Sequence, residues 1–180
     1  MRVISGTRRG TILFSPTTED TRPTIDRVRE NIFNLIRFDL PDSKVLDLFA
    51  GSGAMGIEAL SQGAKSCVFV DSLKSACEIV KKNLEKTRLE ECSCVINKSF
   101  DNYLSTANEV FDIIFLDPPY HNQYIDRSLD IIVSKGLASE NALFVLETDK
   151  EEKIKIPSEY EIIKEKIYGR VKVTLVKRGG

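Results

Sequence analysis

The chain contains no tryptophan, one histidine and four cysteines in 180 residues. Cys67, Cys77, Cys92 and Cys94 form no Cys-x-x-Cys pair, and His121 lies far along the chain from them. That spacing argues against a zinc site. Cys67 and Cys77 fall on apolar faces of predicted elements, where free buried thiols are common. No apolar run approaches the ~18 residues a membrane span requires. Residues 1–10 are basic but have no apolar stretch behind them, so no secretion signal is expected. Together these absences point to a reduced, cytoplasmic protein. Nor is there a surplus of charge: 26 Lys and Arg face 27 Asp and Glu, a net charge of −1. Taken whole, that balance argues against a polyanionic partner.

What is present suits one folded domain. The chain is 42% hydrophobic and 29% charged, long enough to bury a core and too apolar to be disordered. The charge is unevenly spread. Residues 1–30 carry six arginines against four acids, a net +2, and residues 164–178 carry six bases against one acid, a net +5. The remainder is therefore −8. Basic ends around an acidic middle hint at nucleic acid, although lysines also decorate solvated edge strands.

Residues 3–5 and 11–14 flank a turn between Gly6 and Gly10 and read as a short hairpin. Thr24 is placed to cap a helix whose buried face is Ile25, Val28, Ile32, Leu35 and Ile36. Strands and helices then alternate: strand 45–49, helix 54–62, strand 67–70, and a long helix with the stripe Leu73, Ala76, Cys77, Val80 and Leu84. A short strand at 94–96, a nearly continuous apolar strand at 111–116, a helix with Ile125, Leu129, Ile132 and Val133, and a strand at 142–146 follow. Residues 160–167 and 171–176 are two β-rich runs joined across Gly169, a closing antiparallel pair. Repeated βα units predict an α/β fold with a doubly wound, mostly parallel sheet. The expected organisation is one domain over 1–180: a hairpin-and-helix extension at 1–40 and a core at 41–180.

The strand at 45–49 runs into Gly51-Ser52-Gly53-Ala54-Met55-Gly56, a Gly-x-Gly-x-x-Gly loop that opens a helix. Gly51 permits a tight turn, Gly53 removes a Cβ where a ligand approaches, and Gly56 lets helix and strand pack closely. Twenty residues after Gly51, Asp71 ends the next strand, where a carboxylate can accept from both hydroxyls of a ribose. Ser72 beside it is a further candidate contact. A ribose-bearing ligand on such a loop is either a dinucleotide or S-adenosylmethionine. A pyrophosphate wants bare amides and no nearby anion. Asp47, four residues before Gly51, would repel it and suit an amino-acid ammonium instead. The simpler alternative for Asp47 is a buried acid bonded to loop amides.

The strand at 111–116 ends in Asp117-Pro118-Pro119-Tyr120. In a doubly wound sheet that is where ligands bind. Two prolines stiffen the backbone and remove two N–H donors, and the first restricts Asp117 to an extended shape. The edge therefore offers acceptors only, the Asp117 carboxylate and the Pro118 carbonyl, beside the Tyr120 ring. Such an edge suits the exocyclic amine of a nucleobase. Its two hydrogens can be gripped so that the nitrogen faces an electrophile, while Tyr120 stacks on a base turned out of its helix. His121 is placed to take the leaving proton, although a solvated loop histidine is the simpler reading. Ser99 and Phe100, after the short strand, are candidates to flank an adenine.

At these residues the sequence resembles the class I S-adenosylmethionine-dependent amino-methyltransferases. With Arg2-Val3-Ile4-Ser5-Gly6, Arg9-Gly10 and Arg22-Pro23-Thr24-Ile25-Asp26-Arg27-Val28-Arg29-Glu30-Asn31, it closely resembles the bacterial 16S ribosomal RNA guanine-N2 methyltransferases of the small-subunit methyltransferase D family. The resemblance covers nearly the whole chain and implies a seven-stranded Rossmann-like sheet. It implies that Gly51, Gly53 and Asp71 hold S-adenosylmethionine and that Asp117, Pro118 and Tyr120 hold the target guanine. It also implies a substrate of 16S rRNA in the small subunit or an assembly intermediate. Where the family often has Asn or Asp beside the adenine, this chain has the shorter Ser99. Arg8, Arg9, Arg22 and Arg27 are candidate RNA contacts; Arg22, Arg27 and Arg29 are placed either to meet phosphates or the cofactor's carboxylate, or to be solvated helix arginines. One cleft makes a monomer the simplest state, with no metal and no membrane partner. The alternatives are a DNA or other-RNA amino-methyltransferase acting on adenine N6 or cytosine N4, an NAD-linked oxidoreductase, and a non-catalytic RNA-binding assembly factor.

Overall fold

Alternation of apolar side chains along the central strands divides the interior into two cores, one on each face of a single sheet. Val45 belongs to one core and Leu46 to the other; Ile113 and Ile114 divide in the same way. Strands buried on both faces read as continuous apolar runs. The computed structural model describes residues 1–16, 23–120 and 123–180.

In chain order the elements are α1 (Pro23–Ile36), β1 (Lys44–Asp47), α2 (Ala54–Ser61), β2 (Ser66–Asp71), α3 (Lys74–Thr87), β3 (Ser93–Asn97), α4 (Phe100–Thr106), β4 (Phe111–Leu116), α5 (Tyr124–Ser134), β5 (Ala138–Asp149), β6 (Tyr160–Tyr168) and β7 (Val171–Arg178). The seven strands lie in the order β3-β2-β1-β4-β5-β7-β6. The first five are parallel, and β7 pairs antiparallel with both β5 and β6. Residues of α1, α2 and α3 pack in one core, and those of α4 and α5 in the other. The chain therefore reverses direction across the sheet at β1 and β4, the switch point where ligands bind in this class of fold.

Ahead of the sheet, the expected hairpin is present as one antiparallel bridge between Arg2 and Ile12, and its Val3 and Leu13 are buried in the first core. It sits on α2 through a buried acid. Glu58 accepts from the amides of Ile4 and Ser5, at 2.9 Å each. Gly6 is required there because a Cβ would fall 1.8 Å from the Ser61 carbonyl oxygen.

Several expectations are corrected. Helix α1 begins one residue before Thr24, with proline at the first position, where its missing N–H costs nothing. Its buried face is Val28, Ile32, Phe33 and Ile36, while Ile25 is 48% exposed. Leu73 precedes α3 in an extended conformation and is also exposed. Strand β1 ends at Asp47, two residues earlier than expected, and β5 is longer at both ends than 142–146. Helix α4 was not expected. It is seven residues long, and the Lys135 ammonium donates to the carbonyls of Leu104, Ser105 and Ala107 at its C-terminal end, where a cation is favoured.

Candidate active site

The carboxyl edge of the sheet gathers acids. Asp71 ends β2, Asp47 ends β1, Asp117 follows β4, and Glu147 lies in β5, one residue beyond Leu146. In register, Leu116 pairs with Leu146, so Asp117 and Glu147 follow side by side. These four carboxyls surround the β1/β4 switch point.

The glycine loop between β1 and α2 is held by backbone hydrogen bonds to β2 and within itself. The Ala50 amide donates to the Val70 carbonyl at 2.9 Å, and the Gly53 amide to the Ala50 carbonyl at 2.7 Å. Gly51 has φ +55° with open space where a Cβ would point, so its left-handed backbone rather than crowding favours glycine there. Gly53 has a different reason from the one expected. Its missing Cβ would lie 3.2 Å from Val80, inside the core. Gly56 serves close packing as expected, since a Cβ there would lie 2.3 Å from the Phe69 ring. Sequence reasoning missed Asn83, a fully buried amide of α3. It donates to the carbonyls of Ser52 and Phe14 and accepts from the Phe14 amide, tying the loop to the N-terminal segment.

Asp71 accepts from the Gly51 amide through one oxygen and from the Leu73 amide through the other, both at 2.9 Å. The carboxylate is thus fixed at the mouth of the loop, and each oxygen keeps a further lone pair. Ser72 beside it is exposed, and its carbonyl accepts from the Asn97 side chain. Asp47 is buried and accepts from the Gly56 amide at 3.1 Å, which is the amide-bonded arrangement weighed above. Burial raises its carboxyl to about 7, with the negative charges of Asp117 and Asp71 adding to the effect. A cation entering the cleft would reverse that penalty.

Of the tetrad, Pro118 is buried and fixes the backbone, while Asp117, Pro119 and Tyr120 are exposed. The Tyr120 ring is 43% exposed. Partial burial, with Asp117, Glu147, Asp149 and Glu152 nearby, pushes its phenol up to about 12, so Tyr120 remains neutral. Glu147 was missed because the expected strand stopped at Leu146. It shares a hydrogen bond with Asp117, and burial followed by the Asp117 charge holds its carboxyl well above the ordinary range.

Ser99 precedes α4, and its hydroxyl hydrogen-bonds Asp101, lowering that carboxyl. Phe100 is buried and packs against Phe49 and Tyr124, with ring centroids 5.4 and 5.0 Å away. The half-buried members of this aromatic cluster are Phe49 and Tyr124, so the wall Phe100 was expected to present is theirs to offer.

Among the candidate RNA contacts, Arg9 and Arg27 are exposed and line a groove of about 500 Å³ between hairpin and α1, shared with Arg2, Asp26 and Glu30. Arg8 is half-buried and reaches the Arg88 carbonyl at 3.5 Å. Arg22 and His121 lie outside the described residues. Arg29 is neither a surface contact nor a solvated helix arginine. It is only 3% exposed, donates to the Arg2 carbonyl and Asp26, and has Nε and Nη1 without a partner among the described residues. The basic C-terminal run divides between an exposed outer strand, β6, and ion pairs such as Lys177 with Asp39 at 2.8 Å. Among the described residues, no group of three His, Cys, Asp or Glu side chains is arranged to hold a metal ion.

A family model described as conserved hypothetical protein 95 matches residues 1–177. The ribosomal RNA small subunit methyltransferase D of Haemophilus influenzae is 35% identical over 178 residues, spanning 97% of this chain and 92% of its own. The structure of yhhF from Escherichia coli, itself described as a candidate methyltransferase, superposes with a TM-score of 0.90 at 30% identity, covering 100% of this chain and 98% of that one. A candidate SAM-dependent methyltransferase from Streptococcus mutans shares the fold, with a TM-score of 0.67 at 19% identity over 84% of this chain and 48% of that one.

Proposed function

We propose that this chain, which belongs to the conserved hypothetical protein 95 family and is related to the small-subunit methyltransferase D proteins, transfers a methyl group from S-adenosylmethionine to small-subunit ribosomal RNA. The finer reading is transfer to the exocyclic N2 amine of one guanine in 16S rRNA. The observation that carries it is the acceptor-only edge of Asp117 and Pro118 at the sheet's switch point, beside the exposed Tyr120 ring.

The residues present fit the cofactor. Asp71, fixed by two amides, faces the loop mouth with lone pairs suited to ribose hydroxyls, Gly51 leaves space for close approach, and Asp47 offers a carboxyl whose ionisation a cationic ligand would favour. When bound, the cofactor supplies an electrophilic methyl on a sulfonium. The protein's own part is alignment. Asp117 and the Pro118 carbonyl accept the two hydrogens of the amine and stabilise positive charge as it grows on nitrogen. Tyr120, neutral across the working range, stacks on the extruded base. Arg9, Arg27 and Arg2 meet phosphate at the hairpin groove. The aspartates at the edge, Asp47, Asp71 and Asp117, disfavour a dinucleotide pyrophosphate, which weighs against the oxidoreductase reading. All proposed groups come from one chain, so a monomer suffices, working on an RNA partner in the cytoplasm.

Calorimetry with S-adenosylmethionine and with NAD, followed by transfer of labelled methyl to small subunits, tests this reading. Binding of the former alone and label in 16S rRNA are expected. Binding of NAD alone, or no label in RNA from an enzyme that binds the cofactor, would overturn it.

A further inference from the structure

Asp117 does not act alone at the end of β4. Its neighbour in register across β5 is Glu147, one residue beyond the Leu116–Leu146 pair, and the two side chains share a hydrogen bond. Two carboxyls can be joined by a hydrogen bond only when one of them carries a proton, because ionised carboxylates are acceptors alone. Glu147 is half-buried and Asp117 exposed. The ionised form is therefore better solvated at Asp117, and the proton belongs on Glu147. The groups facing Glu147 are Asp117 and Tyr120 after β4, Asp47 from β1 and Arg29 from α1, while β7 places the uncharged Val173 beside it. Arg29 favours the ionised form, but burial and the two negative neighbours oppose it and weigh more.

We infer that Glu147 is a positioning residue of the transfer: as a neutral acid it donates to one Asp117 oxygen and so holds the other, ionised oxygen toward the target amine. The inference rests on the proposed amine methylation. It gives the proton balance that reaction needs. As the nitrogen–carbon bond forms, the carbon–sulfur pair leaves with sulfur and the nitrogen becomes an ammonium. One of its protons passes to Asp117. The pair then holds two protons and releases one to solvent at exposed Asp117, restoring the starting state. A lone aspartate would do this with its rotamer free; a doubly ionised pair would not form at all, since like charges at contact repel. The two carboxyls titrate as a unit.

Two variants and one spectroscopic signature test this. Glu147→Gln keeps a donor toward Asp117 but cannot ionise. Glu147→Ala removes the donor. At neutral pH the Gln variant should keep kcat within a few-fold of wild type, and the Ala variant should lose about a hundredfold in kcat with little change in KM for S-adenosylmethionine. Wild-type kcat should fall on the alkaline side as Glu147 ionises, and the Gln variant should lose that limb. Independently of turnover, 13C NMR of protein labelled at glutamate carboxyls should contain one signal, absent in Glu147→Gln, that remains that of a neutral acid at neutral pH. A Glu147 signal titrating in the ordinary glutamate range, or an Ala variant as active as wild type, would overturn the inference. A wild-type chain that transfers no methyl contradicts the proposed function instead, and the NMR signal still decides the protonation of the pair.

Discussion

In the proposed transfer, Asp117 is the residue that grips the amine. Replacing it with Ala removes one of two acceptors for the amine and should lower kcat by about a hundredfold to a thousandfold. Cofactor affinity, measured by calorimetry, should change little, because Asp71 and the glycine loop are untouched. Tyr120 separates stacking from proton transfer. With its phenol pushed up to about 12, it is no base at neutral pH, so Tyr120→Phe should retain most activity and Tyr120→Ala should not. Asp47 gives a pH prediction with a definite sign. Its carboxyl rises from 3.8 unfolded to about 7 folded. Between those values the folded state holds a proton that the unfolded state has lost, so this group lowers stability as pH rises through the window and no further above it. Asp47→Asn should flatten that part of the profile, by up to about 4 kcal/mol in denaturant unfolding at pH 8 relative to pH 4. The same group should release protons when a cationic cofactor binds near pH 6.5, seen as buffer-dependent binding enthalpy that Asp47→Asn abolishes.

At the level of elements, the hairpin depends on Glu58. Glu58→Ala would strand the amides of Ile4 and Ser5 that now meet its carboxylate, at a cost of about 2–4 kcal/mol for two partly buried donors. Hydrogen exchange should show those two amides losing protection while β1 and β4 keep theirs. This clamp was not legible beforehand, because Glu58 sits on a helix where a solvated glutamate is the ordinary expectation. The βα alternation, the glycine loop and the antiparallel end were legible, because period and punctuation are local. Helix α4 was not: seven residues with only Phe100, Tyr103 and Leu104 buried make too short a pattern. Glu147 was hidden by strand length. Periodicity marks where a strand is apolar, and β5 continues three residues beyond Leu146 through Glu147, Thr148 and Asp149. Arg29 was read as a surface group because arginine on an amphipathic helix usually is one; here the hairpin covers it.

For the molecule as a whole, a net charge of −1 conceals a division of labour. Acids are gathered at the carboxyl edge of the sheet, where amines and hydroxyls suit them. Arg2, Arg9 and Arg27 line the groove beside the hairpin together with Asp26 and Glu30, and are the proposed phosphate contacts. Of the basic C-terminal run, Lys164 and Lys166 lie on the outermost strand, three positions from β4, and Lys172, Lys177 and Arg178 on β7 beside it. Replacing Arg9 and Arg27 by Gln should therefore weaken RNA binding and lower the slope of log affinity against log salt by roughly one per arginine. Replacing Lys164 and Lys166 should leave the slope nearly unchanged. The most direct test of the central claim is nucleoside mass spectrometry of 16S rRNA. Small subunits from cells lacking this gene product would be treated with the purified protein and S-adenosylmethionine carrying a labelled methyl. Label confined to one N2-methylguanosine is the expected result. Label on a ribose or on a ring atom, or no label at all, would contradict an amine-gripping edge at Asp117 and Pro118, and label on the exocyclic amine of adenine or cytosine would contradict the guanine reading.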